Sequence, residues 1–217
     1  MSNRPSRDRI LDAAERLFAA QGFARTTIKQ IGRAAGVNSA LLYYYFTGKE
    51  RLYREVLQRL VVGLVSRTGE GLDAPGSPEA RVRAFIEAQA EVLGANLHFP
   101  RLLVRELAES DAAHAVEQFQ LLAATSFRRL CGVVAEGQRA GAFRADLDPR
   151  FAAISVISQV AYFFIARPAV RILLAAGSGG PSRDTLRAYV RHASDFALAA
   201  LRTPAAAVPR RRMGRTR

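Results

Sequence analysis

The chain of 217 residues has no tryptophan, one cysteine, two methionines and three histidines. A single thiol, Cys131, excludes an internal disulfide framework and fits a reducing cytoplasm, the expected location. Cys131 stands among Leu130, Val133 and Val134 and reads as a buried, inert thiol rather than a redox switch. His98, His114 and His192 lie far apart, with no HExxH or CxxC spacing, so neither a metal nor a cofactor is expected. No G-x-S-x-G or P-loop occurs, and the GSGG at 177–180 reads as a loop; with no catalytic constellation, the chain is not expected to be an enzyme. Long alternating β-branched runs are missing while Ala, Leu, Arg and Glu dominate, which favours helix. The longest apolar stretch, 151–166, is interrupted by Ser155, Ser158 and Gln159 and is too short to span a bilayer. The opening MSNRPSRDR carries no secretory apolar segment. A membrane partner is therefore not expected.

Lysine occurs only at Lys29 and Lys49, yet the net charge is +13. Residues 1–60 hold 11 Lys/Arg against 5 Asp/Glu, residues 61–201 hold 15 against 14, and residues 202–217 hold 6 against none. Basic ends flanking a nearly neutral middle suit a polyanion, of which nucleic acid is the usual one. An arginine-heavy codon usage with no target is the alternative.

Apolar periodicity divides the chain into helices. Ile10, Leu11, Ala14, Leu17 and Phe18 form one face of a helix over 6–20, ended by Gly22, with Phe23 anchoring the turn. Thr26 reads as the N-cap of a helix over 27–35, with Ile28 and Ile31 inward. A glycine turn at Gly36 leads to a second short helix from near Asn38, with Leu42 and Phe46 on its buried side. The next helix spans 48–67, and its stripe Tyr53, Val56, Leu57, Leu60, Val61, Leu64 is longer than a small domain needs. The segment 68–76, TGEGLDAPG, reads as a loop and the clearest internal break. Ser77-Pro78-Glu79 opens a helix, 96–100 interrupts, and 101–109 and 112–140 are helical, the latter stopped by Gly141. Asp148-Pro149 opens another, ended or kinked at Pro168; 175–180 is a loop, and a last helix runs from 181 or 182 to about 202. The fold class is all-α: an N-terminal three-helix helix-turn-helix DNA-binding domain over 1–47, joined by a linking helix to a helical second domain over 48–203. A basic tail, expected to be disordered, follows over 204–217.

If Leu42 points inward, Ser39, Ala40, Leu41, Tyr43, Tyr44 and Tyr45 form the outward surface of the second short helix. Three exposed tyrosines suit sugar-phosphate and base edges; Leu41 suits a thymine methyl and Ser39 several bases. Lys49, at the start of the following helix, offers a phosphate seat. The alternative is that one tyrosine, Tyr45 first, packs into the core.

Residues 7–57 resemble the N-terminal DNA-binding domain of the TetR/AcrR family of bacterial transcription regulators. ILDAAERLFAAQGFARTTIKQIGRAAGV and LLYYYFTGKERLY carry the resemblance. It implies that Thr27, Tyr43 and Lys49 touch phosphates and that Lys29, Ser39, Ala40 and Leu41 face bases. Tyr45 stands where the family most often has histidine, and Leu41 where a small residue is common; both bear on base preference.

The rest of the chain resembles the family in layout. Small and apolar residues on the last two long helices, Ile154, Ile157, Ala161, Tyr189, Ala193, Phe196 and Ala197, suit a homodimeric four-helix interface or, alternatively, the chain's own core. A two-fold dimer would place two recognition helices about one DNA turn apart on a double-stranded, inverted-repeat operator. Phe85, Gln89, His98, Phe99, Leu103, Phe119, Phe127, Gln159, Tyr162 and Phe163 are candidate liners of an effector pocket, or core residues. Arg105 and Glu106 read as solvated charges on a half-buried helix, with Arg105 open to a ligand carboxylate. The expected function is a DNA-binding regulator, a homodimeric repressor released by a small hydrophobic molecule. The competing reading is a sequence-tolerant DNA-binding or architectural protein driven by its basic ends, with a steep salt dependence. Operator sequence, effector identity, repression versus activation and the role of the tail stay open in the sequence.

Overall fold

The computed structural model describes residues 5–109, 113–175, 177 and 180–203. The basic tail, the first four residues and part of the expected 175–180 loop lie outside the described residues. Eleven α-helices and one π-helical turn are present among the described residues, and no strand. They are α1 (Ser6–Arg25), α2 (Ile28–Ala35), α3 (Ser39–Tyr45), α4 (Lys49–Asp73), α5 (Pro78–Ala95), α6 (His98–Glu109), α7 (Val116–Leu122), the π turn (Ala123–Phe127), α8 (Arg128–Arg139), α9 (Pro149–Ile165), α10 (Arg167–Leu173) and α11 (Arg183–Leu201).

Helix α1 breaks its regular geometry at Gly22, which takes φ 82°. A left-handed backbone of this kind suits glycine alone without strain. The one turn beyond it, through Arg25, carries Phe23 back under the head. The residue expected to cap α2 does something else. Thr26 is buried and donates its hydroxyl to Gly22 O at 2.7 Å, closing the kink. Thr27 is the cap: its hydroxyl accepts from Gln30 N at 3.2 Å, and the Gln30 side chain accepts from Thr27 N at 2.8 Å. This reciprocal pair satisfies two backbone donors that the helix cannot satisfy itself.

The expected 68–76 loop is mostly helix. α4 continues to Asp73, and only 74–77 separate it from α5. TGEGLD reads as a breaker because glycine weakens an isolated helix. Here its glycines serve close packing: a Cβ on Gly71 would lie 2.9 Å from the carbonyl carbon and oxygen of Ala84 on α5. Thr68 shares a 2.9 Å hydrogen bond with Ser126 of the π turn, and Arg81 Nε donates to Leu72 O at 2.6 Å at the end of α4. These tertiary contacts outweigh local propensity.

The remaining boundaries follow their caps. Ser77 accepts from Ala80 N, Asp148 from Arg150 N and Ser182 from Thr185 N, and Pro78 and Pro149 hold the first helical positions behind the first two. α6 opens at His98, earlier than 101, because proline is tolerated in a first turn, where Pro100 sits. The expected 112–140 helix begins at Val116 and carries a π turn at its centre. α9 and α10 meet at an 82° bend beside Pro168. No single helix among the described residues is long and apolar enough to cross a membrane.

One core runs through head and body. Ile10, Phe18, Ile31, Leu42, Phe46 and Leu52 close the head; Tyr53, Val56 and Leu57 of α4 carry the core on to Ile86, Leu102, Leu130 and Val160. Polar ties reinforce the junction. Arg59 of α4 binds Asp12 at 2.8 Å and Glu15 at 2.6 Å on α1, and Asn96 after α5 donates to the same Glu15 at 2.6 Å.

Candidate nucleic-acid interface

Helices α2 and α3 form the turn unit. Gly36 stands at φ 66°, ψ 39° between them, and Val37 N donates to Gly32 O at 2.9 Å. Gly32 lies where a Cβ would come within 3.0 Å of Val37 O, so the turn is closed tightly. Asn38 starts α3 by accepting from Leu41 N at 2.8 Å. Leu42 and Phe46 then lock α3 onto the core, both fully buried.

With Leu42 inward, the opposite face must be outward, because successive residues turn by about 100°. Ser39 and Ala40 are exposed and Leu41 is half-buried. Tyr43, Tyr44 and Tyr45 are 56%, 80% and 37% exposed, so none of the three is a core residue and Tyr45 lies nearest the core. Tyr44 and Tyr45 meet edge to face, with ring centroids 5.2 Å apart. That contact holds two phenol rings apart and leaves the Tyr44 hydroxyl on the outer surface. Exposed hydroxyls here can donate to phosphate oxygens, and the ring faces can cover sugars. Lys29 is exposed on α2, one turn before Arg33, which shares its face and which the sequence reading did not single out. The i,i+4 spacing of two basic residues was the available signal.

Lys49 does not project freely into solvent. Its Nζ donates to Phe23 O at 3.0 Å and Ala24 O at 3.4 Å and stands 4.3 Å from the Phe23 ring centre. It therefore fastens the first turn of α4 to the kinked end of α1, with one ammonium proton left for an outside acceptor. An exposed groove of about 440 Å³ runs beside it, lined by Thr47, Gly48, Glu50, Arg51 and Arg54. Thr47 and Arg51 are further candidates that the sequence reading passed over. The start of α4 adds unpaired backbone N–H groups, which favour an anion.

Behind this surface, a buried polar cluster joins head to body. The Glu106 carboxylate, expected to be solvated, is 1% exposed. It accepts from the Tyr53 hydroxyl at 2.9 Å and from His114 N at 2.7 Å, and lies 3.2 Å from His114 Nδ1. A buried carboxylate persists only with such donors. Burial, followed by the nearby Glu106 charge, pushes the Tyr53 phenol well above its ordinary value. The Phe23 ring packs on both Tyr53 and His114, with centroids 5.1 and 4.8 Å away.

Of the ten expected pocket liners, only Phe99, Leu103 and Phe119 share one void among the described residues. Phe85, Phe99 and Phe163 are closed into the core, and Gln89 donates to Ile157 O at 3.3 Å. Leu103, Phe99 and Phe119 surround a void of about 10 Å³, the room of a single water. Phe127 packs half-buried against the core, while His98 and Gln159 are partly buried elsewhere. Tyr162 lies on the outer face of α9 rather than inside the bundle. The large cleft lies instead between the end of α1, α6 and the α9–α10 bend, and Arg105 lines it.

The expected dimer residues also separate by helical phase. Of that set, Ile154 on α9 and Phe196 on α11 are 53% and 61% exposed; Phe151 and Tyr162 of α9, outside the set, are 68% and 58% exposed. Ile157 and Ala161 are partly buried. Ala193 and Ala197, each 2% exposed, face the chain's own core and do not reach an outer surface. Tyr189 is held within the chain, donating to Gln159 O at 2.7 Å and stacking on Phe163 at 4.3 Å.

Comparison with known proteins agrees with this arrangement. Residues 10–56 match the family described as bacterial regulatory proteins, tetR family, and residues 78–196 match the tetracyclin repressor-like C-terminal domain. The HTH-type transcriptional repressor KstR2 of Rhodococcus jostii is 31% identical over 149 residues, covering 67% of this chain and 72% of that protein. The fatty acid degradation regulator FadR of Bacillus halodurans superposes with a TM-score of 0.74 at 20% identity, covering 94% of this chain and all of that one. FadR of Bacillus subtilis, solved in complex with stearoyl-CoA, gives a TM-score of 0.71 at 17% identity over 89% of this chain and 98% of its own.

Proposed function

The chain belongs to the tetR family of bacterial regulatory proteins, and from that premise we propose that it is a cytoplasmic, homodimeric transcriptional repressor. It binds an inverted-repeat DNA operator through α2, α3 and the first turn of α4, and is released by a small ligand with a hydrophobic part. Residues 1–47 are the DNA-binding unit, 48–203 the effector and dimerisation unit, and 204–217 a basic appendage. The observation that carries the reading is α3 itself: Leu42 and Phe46 are buried while Ser39, Ala40, Tyr43 and Tyr44 stand outward on a rigid glycine turn. A short helix held this way has one evident use, insertion into a major groove.

The dimer reading is supported by the apolar outer face of α9 and α11. Phe151, Ile154 and Tyr162 repeat at helical spacing beside Ser155 and Ser158, and Phe196 is exposed on α11, which packs against α9. Such a patch on an otherwise charged chain favours a self-complementary partner. Ligand release is supported by the relatives, which are regulators rather than enzymes, one of them a repressor and one solved with an acyl thioester. A ligand acts by binding the DNA-incompetent arrangement of the two heads better than the competent one.

The test is recovery of fragmented DNA from the source genome at physiological salt with excess competitor DNA. The wild type should retain a few fragments sharing an inverted repeat, and Tyr43→Ala and Tyr44→Ala should lose them. Uniform recovery across the genome would instead favour a sequence-tolerant DNA-binding protein.

A further inference from the structure

The cleft beside α6 measures about 820 Å³, within the range of small-molecule sites. Arg101 and Arg105 of α6 and Arg167 and Arg171 of α10 line it. Among the described residues Glu109 is the one acid of the lining and is committed to Arg105 at 2.6 Å, while Arg101 and Arg171 have no ion pair. Val104, Phe164, Ile165 and Pro168 supply an apolar wall. A concavity lined by one sign of charge against apolar walls concentrates the opposite charge. Guanidinium groups also match phosphate and carboxylate oxygens two at a time. One charge on a ligand would leave the excess uncompensated, and a purely hydrophobic ligand would bury it further.

We infer that this cleft binds an amphipathic polyanion, an apolar group bearing two or more phosphate or carboxylate charges, and that it is the effector site of the regulator. The second half of this statement rests on the ligand-released reading above. The geometry also shows how the site reaches DNA. Arg105 Nη2 donates to Ala20 O at 3.3 Å, and Nη1 lies 3.0 Å from where a Cβ on Gly22 would stand. The arginine that receives the anion therefore already holds the kinked end of α1, four to six residues before the α1–α2 link that leads to the recognition helix. An anion that draws Arg105 and Glu109 apart loosens α1 from α6, and the head changes its angle to the body.

Binding is measured calorimetrically on the full chain without DNA, using farnesyl diphosphate and decanoyl-CoA as two sources of the same chemistry. Pyrophosphate, CoA and decanoate serve as their separate halves. At least one of the two whole probes should bind one site per chain, at least about tenfold more tightly than its halves. Arg101→Gln combined with Arg171→Gln should weaken it at least about tenfold, the scale of lost hydrogen bonds to charged groups. Should that double variant melt early, Ala108→Glu adds an acid at an exposed lining position and should give the same loss. Equal affinity in wild type and variants, tight binding of decanoate alone, or binding of neither whole probe overturns the assignment. Because no DNA is present, these failures leave operator binding untouched. A probe that binds in the arginine-dependent way but leaves the operator complex intact would overturn the effector role.

Discussion

Replacing Tyr53 with phenylalanine removes one hydroxyl from the buried link between head and body. That hydroxyl donates to Glu106 Oε2 at 2.9 Å, inside a pocket closed by the rings of Phe18, Phe23 and His114. The carboxylate would keep His114 N at 2.7 Å and lose its phenol donor. Removing one hydrogen bond to a buried charged group costs about 1.5–3 kcal/mol. In a chain of this length each kcal/mol moves Tm by about 2–4 °C, so the variant should melt roughly 3–12 °C lower. Alkaline pH separates the lost proton donor from a simple packing defect. Burial and the Glu106 charge raise the folded phenol above its unfolded value near 10. The fold therefore holds this proton more tightly than the unfolded chain does. Stability from Tyr53 is fully present below about pH 10 and is lost as pH rises, at about 1.4 kcal/mol per pH unit while the unfolded group is ionised and the folded one is not. Urea unfolding followed by circular dichroism at about pH 8, 10 and 11 should show the wild type falling faster than Tyr53→Phe by that amount. Parallel decline of the two proteins above about pH 10 would refute the role assigned to this hydroxyl.

Gly71→Val should destabilise by about 1–3 kcal/mol, because its side chain meets the Ala84 backbone. Gly63→Ala, where a Cβ meets nothing within 4 Å, should instead raise Tm slightly; melting curves of the pair check both. Tyr44→Ala should weaken operator binding roughly tenfold with Tm unchanged, since the ring is exposed. Lys49→Met should lower both affinity and Tm, because its ammonium holds the Phe23 and Ala24 carbonyls; titration and melting distinguish the two patterns. The Asp148 carboxyl is held at about 2 by the Arg150 side chain and backbone N–H. Its folded value is depressed, so its contribution is present above the unfolded value of about 4 and disappears as pH falls toward about 2. The stability gap between wild type and Asp148→Ala should narrow over that window and stay constant above it.

The recognition helix was the most legible part of the chain, because one inward leucine fixes the direction of every neighbour on a short helix. Leu42 predicted the outward set 39–45 correctly except at Leu41, which is half-buried. Caps were legible where a single candidate stood before a proline, as at Ser77 and Asp148, and ambiguous where two threonines adjoined: Thr26 closes the Gly22 kink and Thr27 caps. TGEGLD misled because propensity describes an isolated helix, whereas Gly69 and Gly71 face other helices. Glu106 reads as solvated because a sequence does not show the Tyr53 and His114 donors arriving from elsewhere in the chain. The burial of the candidate pocket residues was hidden for a related reason: periodicity says that Phe85 or Tyr162 lies on an apolar stripe, not which neighbour covers it. The arginine cleft draws its charges from 101–105 and 167–171, and only the α9–α10 bend brings them together.

In the proposed dimer, two copies of α3 read two half-sites at once. On an operator recovered from the genome, equilibrium titration should be repeated after inserting about five base pairs, half a helical turn, between the half-sites. Affinity should fall about a hundredfold or more and be restored in part by inserting a full turn of about ten base pairs. Unchanged affinity after the half-turn insertion would contradict that dimer, leaving a protein that meets DNA one head at a time.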